Sequence, residues 1–244
     1  MSVLTGKVAV ITGSTRGLGL AIAQTYAKAG AAVIISSRTA SAVDAAVESF
    51  QSEGYRAAGL ACDVADLAQV QAVRQLALDT FGGLDIWVNN AGMAGVYGPT
   101  LGVPTERYIK VIQTNIVGTY YGSIIAMQHF VGQGRGKLIN MQGRGDRKPV
   151  SMQNAYAPSK TWVRSFTLAL AKEYKKSGVG VFAFNPGLVD TDMLRQIDVV
   201  PGHEQDVNPL RTQPAKRIAL VIANPAVSTT TGWPVGFWWS ELTH

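Results

Sequence analysis

Tyr156 and Lys160 stand four residues apart in the stretch YAPSK, just before an apolar pattern of helical period. Residues at i and i+4 share one face of a helix, so the phenol and the ammonium project from the same side. A free tyrosine has a pKa of about 10, too high for ready proton exchange at neutral pH. A neighbouring cation favours the phenolate and lowers that value by roughly 1–3 pH units. The pair then reads as a proton donor and acceptor for a reaction that makes or unmakes an alcohol. Taken alone, the same spacing also describes an exposed Tyr–Lys pair on an amphipathic helix. Pro158 lies between the two, and proline is tolerated only in a first helical turn. The helix is therefore expected to begin close to Asn154, a good cap residue.

A second group of residues has the chemistry of a phosphate cradle. Residues 12–19 read TGSTRGLG, directly after an apolar run and at the opening of a helix-like segment. Gly13 permits a tight turn, Gly17 lets backbone N–H groups approach a pyrophosphate, and Gly19 allows close packing of helix on strand. The helix N-terminus would face the phosphate with its unsatisfied donors and positive dipole end. A purely structural turn is the other reading of the three glycines.

These residues need elements to hold them, and the chain alternates strand-like and helix-like segments. Runs at 7–12, 32–36, 57–62, 85–89, 137–141 and 180–184 are apolar without polar alternation, as strands buried on both faces are. Between them, Leu67, Val70, Val73, Ala77 and Phe81 recur at helical steps, as do Val163, Phe166, Leu170 and Tyr174. Alternating β and α elements imply an α/β fold, a parallel sheet with helices on both faces. From about residue 190 to 215, Pro201, Gly202, Asn208, Pro209 and Pro214 break any period. A loop that long in a compact domain reads as a substrate lid.

Composition narrows the partners. The chain has 244 residues, 47% apolar and 16% charged, so it suits a single domain over 1–244 and argues against disorder. Cys62 is the one cysteine, which excludes an internal disulfide and a cysteine-built zinc site. His129, His203 and His244 are scattered, so no metal site is expected. The net charge of +6 comes without a dense basic run. Arg144, Arg147 and Lys148, and Lys172, Lys175 and Lys176, read as solvated charges rather than a nucleic-acid face. No apolar stretch approaches the ~20 residues of a membrane span. The first residues, MSVLTGKVAVITG, lack a basic n-region, so a cytoplasmic protein is expected.

TGxxxGxG at Thr12–Gly19, NNAG at Asn89–Gly92, YxxxK at Tyr156–Lys160 and NPG at Asn185–Gly187 occur in that order. With them the chain resembles the short-chain dehydrogenase/reductase family over nearly its whole length. The resemblance implies a Rossmann-like, doubly wound sheet of seven parallel strands, a nicotinamide cofactor, and a homodimer or homotetramer. It implies that Tyr156 and Lys160 are the proton-transfer pair beside the nicotinamide. Asn115, in QTNIVGTY, would kink a helix and hold a water near the lysine, a capping role being the alternative. Asp63 would bond the adenine amine, and Asn89 would steady the sheet and the cofactor edge. Val189 and Thr191 would anchor the carboxamide. Thr15, Leu18, Val64, Ala91, Gly92, Pro186 and Gly187 complete the implied cofactor contacts.

Charge selects between the two nicotinamide cofactors. An NAD-dependent Rossmann protein commonly ends its second strand with Asp or Glu, which bonds the ribose 2′-hydroxyl. Here that point reads Ser36-Ser37-Arg38-Thr39, with no carboxylate. Arg38, helped by Ser37 and Arg16, can pair with a 2′-phosphate, so NADP(H) is expected. Both arginines match family positions that favour NADPH; two ordinary surface arginines are the alternative.

The chain departs from the family at one catalytic position. The serine expected thirteen residues before the tyrosine is Gly143. Loss of such an oxyanion donor costs on the order of 10²–10³ in rate in other enzymes. Gln142, Arg144, Asn154 and the backbone N–H groups of 143–145 are candidates to replace it. The run NMQGRGD is similar to the NMDGAG-type run of chlorophyll b reductase-like members, which favours a large, flat, apolar substrate. Met93, Met141, Leu188, Met193 and Leu194 are candidate pocket lining, with ordinary packing the other reading. Near the end, GWPVGFWWSELTH reads as an aromatic strand in which Trp233, Phe237, Trp238 and Trp239 face the core or a subunit contact. The expectation is an NADPH-preferring carbonyl reductase or alcohol dehydrogenase. The alternative, which Gly143 supports and Asn115, Tyr156 and Lys160 oppose, is a cofactor-binding sensor or scaffold of the same fold.

Overall fold

All six apolar runs form strands in the computed structural model, which describes residues 2–187 and 192–211. In chain order the elements are β1 (Val8–Thr12), α1 (Gly17–Lys28), β2 (Ala32–Ser37), α2 (Ala40–Ser52), β3 (Ala57–Ala61) and α3 (Leu67–Phe81). Next come β4 (Ile86–Asn89), β5 (Val96–Tyr97), α4 (Thr105–Ile112), α5 (Gly118–Gln133), β6 (Gly136–Met141) and α6 (Tyr156–Glu173). The last are β7 (Val179–Phe184), α7 (Asp192–Arg195), β8 (Asp198–Val199) and α8 (Glu204–Arg211). A six-stranded sheet runs β3-β2-β1-β4-β6-β7, every neighbouring pair parallel. The order reverses between β1 and β4, and such a switch point opens a crevice at the strands' carboxyl ends. The seventh strand expected of the sheet, and the aromatic run that includes Trp233 and Trp239, lie outside the described residues.

Strand pleat sorts the core into two layers. Val8, Val10, Ala32, Ile34 and Trp87 point to one face, covered by α3 and α5 with Phe166 and Leu170 of α6. Ala9, Ile11, Val33, Ile35, Ile86 and Val88 point to the other, under α1 and Phe50 of α2. α3 starts where the Asp66 side chain accepts from the N–H groups of Ala68 and Gln69, and stops at Gly82, whose φ is 75°.

A buried polar network ties β4 and β6 to the helices beneath them. Trp87 Nε1 donates to Asn89 Oδ1 at 2.7 Å, and Asn89 Nδ2 donates to Asn140 Oδ1 at 2.8 Å and Ser123 Oγ at 3.1 Å. Asn140 Nδ2 then donates to the Thr167 hydroxyl at 3.0 Å. Gly122 permits this contact, since a Cβ there would lie 2.0 Å from Asn89 Oδ1. Gly122→Ala is expected to destabilise the fold by about 1–3 kcal/mol, the cost of a buried polar group losing its partner. A shift of the urea midpoint at constant slope is the check.

The segment after residue 190 is more regular than its breakers imply. It carries α7, β8 and α8, and β8 pairs with β5 in a small parallel sheet, Val96 opposite Asp198 and Tyr97 opposite Val199. Ile197 and Val207 are buried against Ala94, Tyr97 and Val199, and Arg107 forms an ion pair with Asp198. Pro209 falls inside α8 rather than ending it. Among the described residues no helix is long and apolar enough to cross a membrane, and no cluster of His, Cys, Asp and Glu is placed to hold a metal.

Candidate active site

Three side-chain hydroxyls and amides draw the carboxyl ends of β1, β2 and β4 together. Ser14 Oγ donates to the Ile11 carbonyl and accepts the Ser36 N–H, and Thr12 Oγ1 accepts from the N–H groups of Asn90 and Ala91. Asn90 Nδ2 donates to the carbonyls of Thr12 and Gly13 at 2.9 and 3.1 Å. The result is a cleft lined by Gly13, Thr15, Arg16, Gly17, Leu18, Gly19, Ser37, Arg38, Asp63, Val64, Ala91 and Gly92. Cys62, Asn90, Met93, Thr114 and, from α7, Met193 complete the lining.

The glycine turn is packed too closely to carry side chains at two of its positions. Gly13 has φ +64°, and a Cβ on it would lie 2.9 Å from Ala91 Cα. A Cβ on Gly19 would lie 2.2 Å from the Gly13 carbonyl oxygen. No side chain caps the N-terminus of α1, whose preceding residue is Arg16, so its first N–H groups stay available to a ligand. Arg16 and Arg38 are exposed at the rim. Asp63 Oδ1 accepts the Ala65 N–H at 2.9 Å.

The two asparagines of NNAG take different directions. Asn89 shares the face of Trp87 and is turned into the buried network, so it steadies the sheet and does not line the cleft. Asn90 lines it instead.

Asn115 is fully buried in a π-helical turn, Gln113–Val117, between α4 and α5, a local widening common at functional sites. Its Oδ1 accepts the Met93 N–H at 2.8 Å, and its Nδ2 donates to the Met93 carbonyl at 2.9 Å and to Ser159 Oγ at 3.0 Å. Lys160 is buried and donates to the Met141 carbonyl at 3.0 Å. A Cβ on Gly92 would lie 3.4 Å from Asn115 Oδ1 and 3.8 Å from Lys160 Nζ. Gly92 thus joins the cleft to the ammonium.

Tyr156 opens α6 and is half-buried. Its hydroxyl sits against Gly143, where a Cβ would be 2.2 Å from the phenolic oxygen and 3.5 Å from Lys160 Cγ. The phenol thus takes the space that a side chain at 143 would occupy. Two expectations are corrected here. Asn154 does not cap α6: its amide bonds the Thr100 hydroxyl and Ala155 is the cap residue, while the Gln153 carbonyl accepts the Ala157 N–H. Nor does Lys160 acidify the phenol in the protein alone. The ammonium is 5.5 Å from the ring centroid. Burial, with the Asp146 charge in the same direction, pushes the phenol up to about 12, and burial pulls Lys160 down to about 8.

The remaining candidates are dispersed. Gln142 is buried, with its N–H donated to the Phe184 carbonyl at 2.7 Å; Arg144 is exposed. Pro186 is buried, and Gly187, at φ +73°, donates its N–H to Asn185 Oδ1. Leu188, Val189 and Thr191 lie outside the described residues. Asp146, Asn90, Cys62 and Thr114 did not emerge from the motifs. For Asn90 the signal was present, because strand parity puts Asn89 with Trp87 and leaves its neighbour to the opposite side.

A family model for short chain dehydrogenases matches residues 7–199. The chain belongs to the short-chain dehydrogenase/reductase family. Among its relatives, it is 35% identical over 78% of its length to 4-formylbenzenesulfonate dehydrogenase of Comamonas testosteroni, of which the match covers 76%. It is 34% identical over 79% of its length to a diacetyl reductase, (S)-acetoin forming, of Staphylococcus epidermidis, covering 75% of that protein. Solved structures of the family superpose on it. A gluconate 5-dehydrogenase from Burkholderia cenocepacia, in complex with NADP and tartrate, gives a TM-score of 0.74 at 30% identity, over 79% of this chain and 75% of that one. A 3-ketoacyl-(acyl-carrier-protein) reductase from Brucella melitensis, complexed with NADH, gives 0.75 at 32% identity, over 80% of each chain. This short-chain dehydrogenase/reductase is therefore an oxidoreductase of Rossmann-like fold, and its relatives include proteins with either nicotinamide cofactor.

Proposed function

We propose that the protein reduces a carbonyl compound with NADPH, or oxidises the corresponding alcohol with NADP⁺, with Tyr156 exchanging the proton. The observation that carries this reading is the convergence of Tyr156, Lys160 and Asn115 on Gly143 and Gly92 at the edge of the cleft. The donor set fits a dinucleotide. Gly13 lets the turn pack closely on Ala91, the uncapped start of α1 supplies N–H donors, and Arg16, Ser37 and Arg38, which line the cleft, are assigned to a 2′-phosphate. A bound nicotinamide supplies the hydride.

The chain's own residues do the rest. Thr15, Leu18, Asp63, Val64 and Ala91 form the walls, with Pro186, Gly187, Val189 and Thr191 assigned to the carboxamide side. A phenol raised to about 12 is protonated at neutral pH, which suits donation of a proton to an alkoxide, the reductive direction. Asn115 fixes the Met93 backbone beside Gly92 and so positions the floor under Lys160. The segment 192–211 is the lid over the substrate, and Met193 brings it to the cofactor cleft. The chain is read as one catalytic domain.

The test is a cofactor titration followed by a panel of carbonyls. NADPH is expected to bind more tightly than NADH and to be oxidised in the presence of a carbonyl. Tight NADPH binding with no turnover on any carbonyl would overturn the reading in favour of the sensor that Gly143 supports. Arg38→Ala is expected to weaken NADPH binding about 10–100-fold, the loss of a charge-assisted bond, and to leave NADH within about threefold. Fluorescence titration of both cofactors checks it, and equal losses would remove Arg38 from phosphate recognition.

A further inference from the structure

The turn that leads into Tyr156 is held from outside. Among the described residues, Met152 is the only one other than glycine with a positive φ, at 65°. That conformation is disfavoured for a residue with a Cβ, and it persists only where the surroundings fix it. Gln153 beside it is 7% exposed, and its Oε1 has no hydrogen-bond partner, a second cost of this turn. The Gln153 carbonyl accepts the Ala157 N–H at 2.9 Å, a bond that opens α6. Residues 147–154 make just two further hydrogen bonds to the rest of the described fold. The Gly98 N–H donates to the Met152 carbonyl at 2.8 Å, and the Asn154 amide bonds the Thr100 hydroxyl. Both end on the strip 96–102.

That strip is in turn fastened to the lid segment. β5 pairs with β8, and the Val200 N–H donates to the Tyr97 carbonyl at 2.8 Å. The Val200 side chain then fills a socket. A Cβ on Gly98 would lie 2.5 Å from Val200 Cγ2, and one on Gly102 would lie 2.7 Å from Val200 Cγ1. Gly98 has φ +149°, which glycine adopts without steric cost. The residue that makes room for Val200 is thus the one whose N–H holds Met152. We propose that Val200 is a positioning residue for Tyr156: seated between Gly98 and Gly102, it fixes the strip 96–102, and with it the turn 152–154 and the start of α6. The phenol then stands against Gly143 only while the lid segment is docked, so covering the substrate and placing the proton donor are one event. The inference rests on the proposed role of Tyr156. Coupling through packed segments is established only by perturbing one end and reading the other.

Amide hydrogen exchange, followed by NMR on the full-length protein without cofactor, reads the coupling independently of turnover. Val200→Ala empties the socket and is expected to speed exchange of the Gly98 and Ala157 N–H groups by about 10-fold or more, with β1 amides unchanged within about twofold. Gly102→Ala pushes a methyl group against Val200 Cγ1 and is expected to act in the same direction. Combining the two removes that clash and refills the socket, so the double variant should exchange more slowly than either single one. Faster exchange confined to the Val200 N–H, with Ala157 unchanged, overturns the positioning role, as does a double variant as fast as the single ones. In turnover, Val200→Ala is expected to lower kcat by about 10-fold, with the NADPH dissociation constant unchanged within about twofold. A change confined to KM overturns the proposal and leaves Val200 an ordinary part of the lid. Coupled exchange in a protein that turns over no carbonyl supports Val200 and removes the reductase reading instead.

Discussion

Tyr156→Phe is expected to lower kcat by about 10²–10⁴-fold, the range for loss of a positioned acid–base group, with NADPH binding unchanged within about twofold. The phenylalanine keeps the ring against Gly143 and removes only the oxygen, so packing at the start of α6 is preserved. The loss should lie towards the upper part of that range because other proton donors are committed elsewhere. Ser159 Oγ donates to the Tyr156 carbonyl at 2.6 Å, Lys160 to the Met141 carbonyl, and the Asn115 amide to Met93 and Ser159. Gly143 brings no hydroxyl. Steady-state NADPH oxidation against the best carbonyl of the panel is the measurement, and retention of a tenth of the wild-type rate would remove Tyr156 from proton transfer.

The parts of the molecule legible from sequence are those where one physical requirement dominates. A parallel strand buried on both faces must be apolar throughout, so β1, β2, β4, β6 and β7 stand out as short runs with boundaries within a residue or two. The glycine turn was legible because close approach leaves no room for a Cβ at Gly13 or Gly19. The β5–β8 pair was not, since two residues a side carry no period. α8 was hidden by Pro209, read as a breaker although the helix continues through it. Asn154 has the side chain of a cap, but Thr100 claims it, a contact 54 residues distant in sequence. In the protein alone the phenol shifts opposite to the direction that the spacing implies, for a related reason. The i, i+4 spacing reports that Lys160 is near, while the opposing influences, burial and Asp146, come from a turn that only the fold lays against α6.

Gly143→Ala is the second change with a large expected effect, and it separates space from chemistry at this position. Gly143 does not have a positive φ, so the backbone accepts a side chain without strain. The obstacle is the phenol, since the new Cβ would stand 2.2 Å from the hydroxyl and 3.2 Å from Cζ. Only the far end of the ring has to move, so thermal stability should change little. Catalysis is less tolerant, because a misplacement of about 1 Å can cost 10²-fold in rate. The alanine variant is expected to lose about 10–100-fold in kcat, with NADPH binding retained. Gly143→Ser imposes the same displacement and adds a donor to the substrate oxygen, so its rate should fall between alanine and glycine. Comparing kcat and the NADPH dissociation constant of the three proteins tests that order. A serine variant faster than wild type would show that the phenol yields freely and that the glycine merely omits a donor. The order glycine, serine, alanine would show that this chain gave up the hydroxyl at 143 to seat its proton donor there.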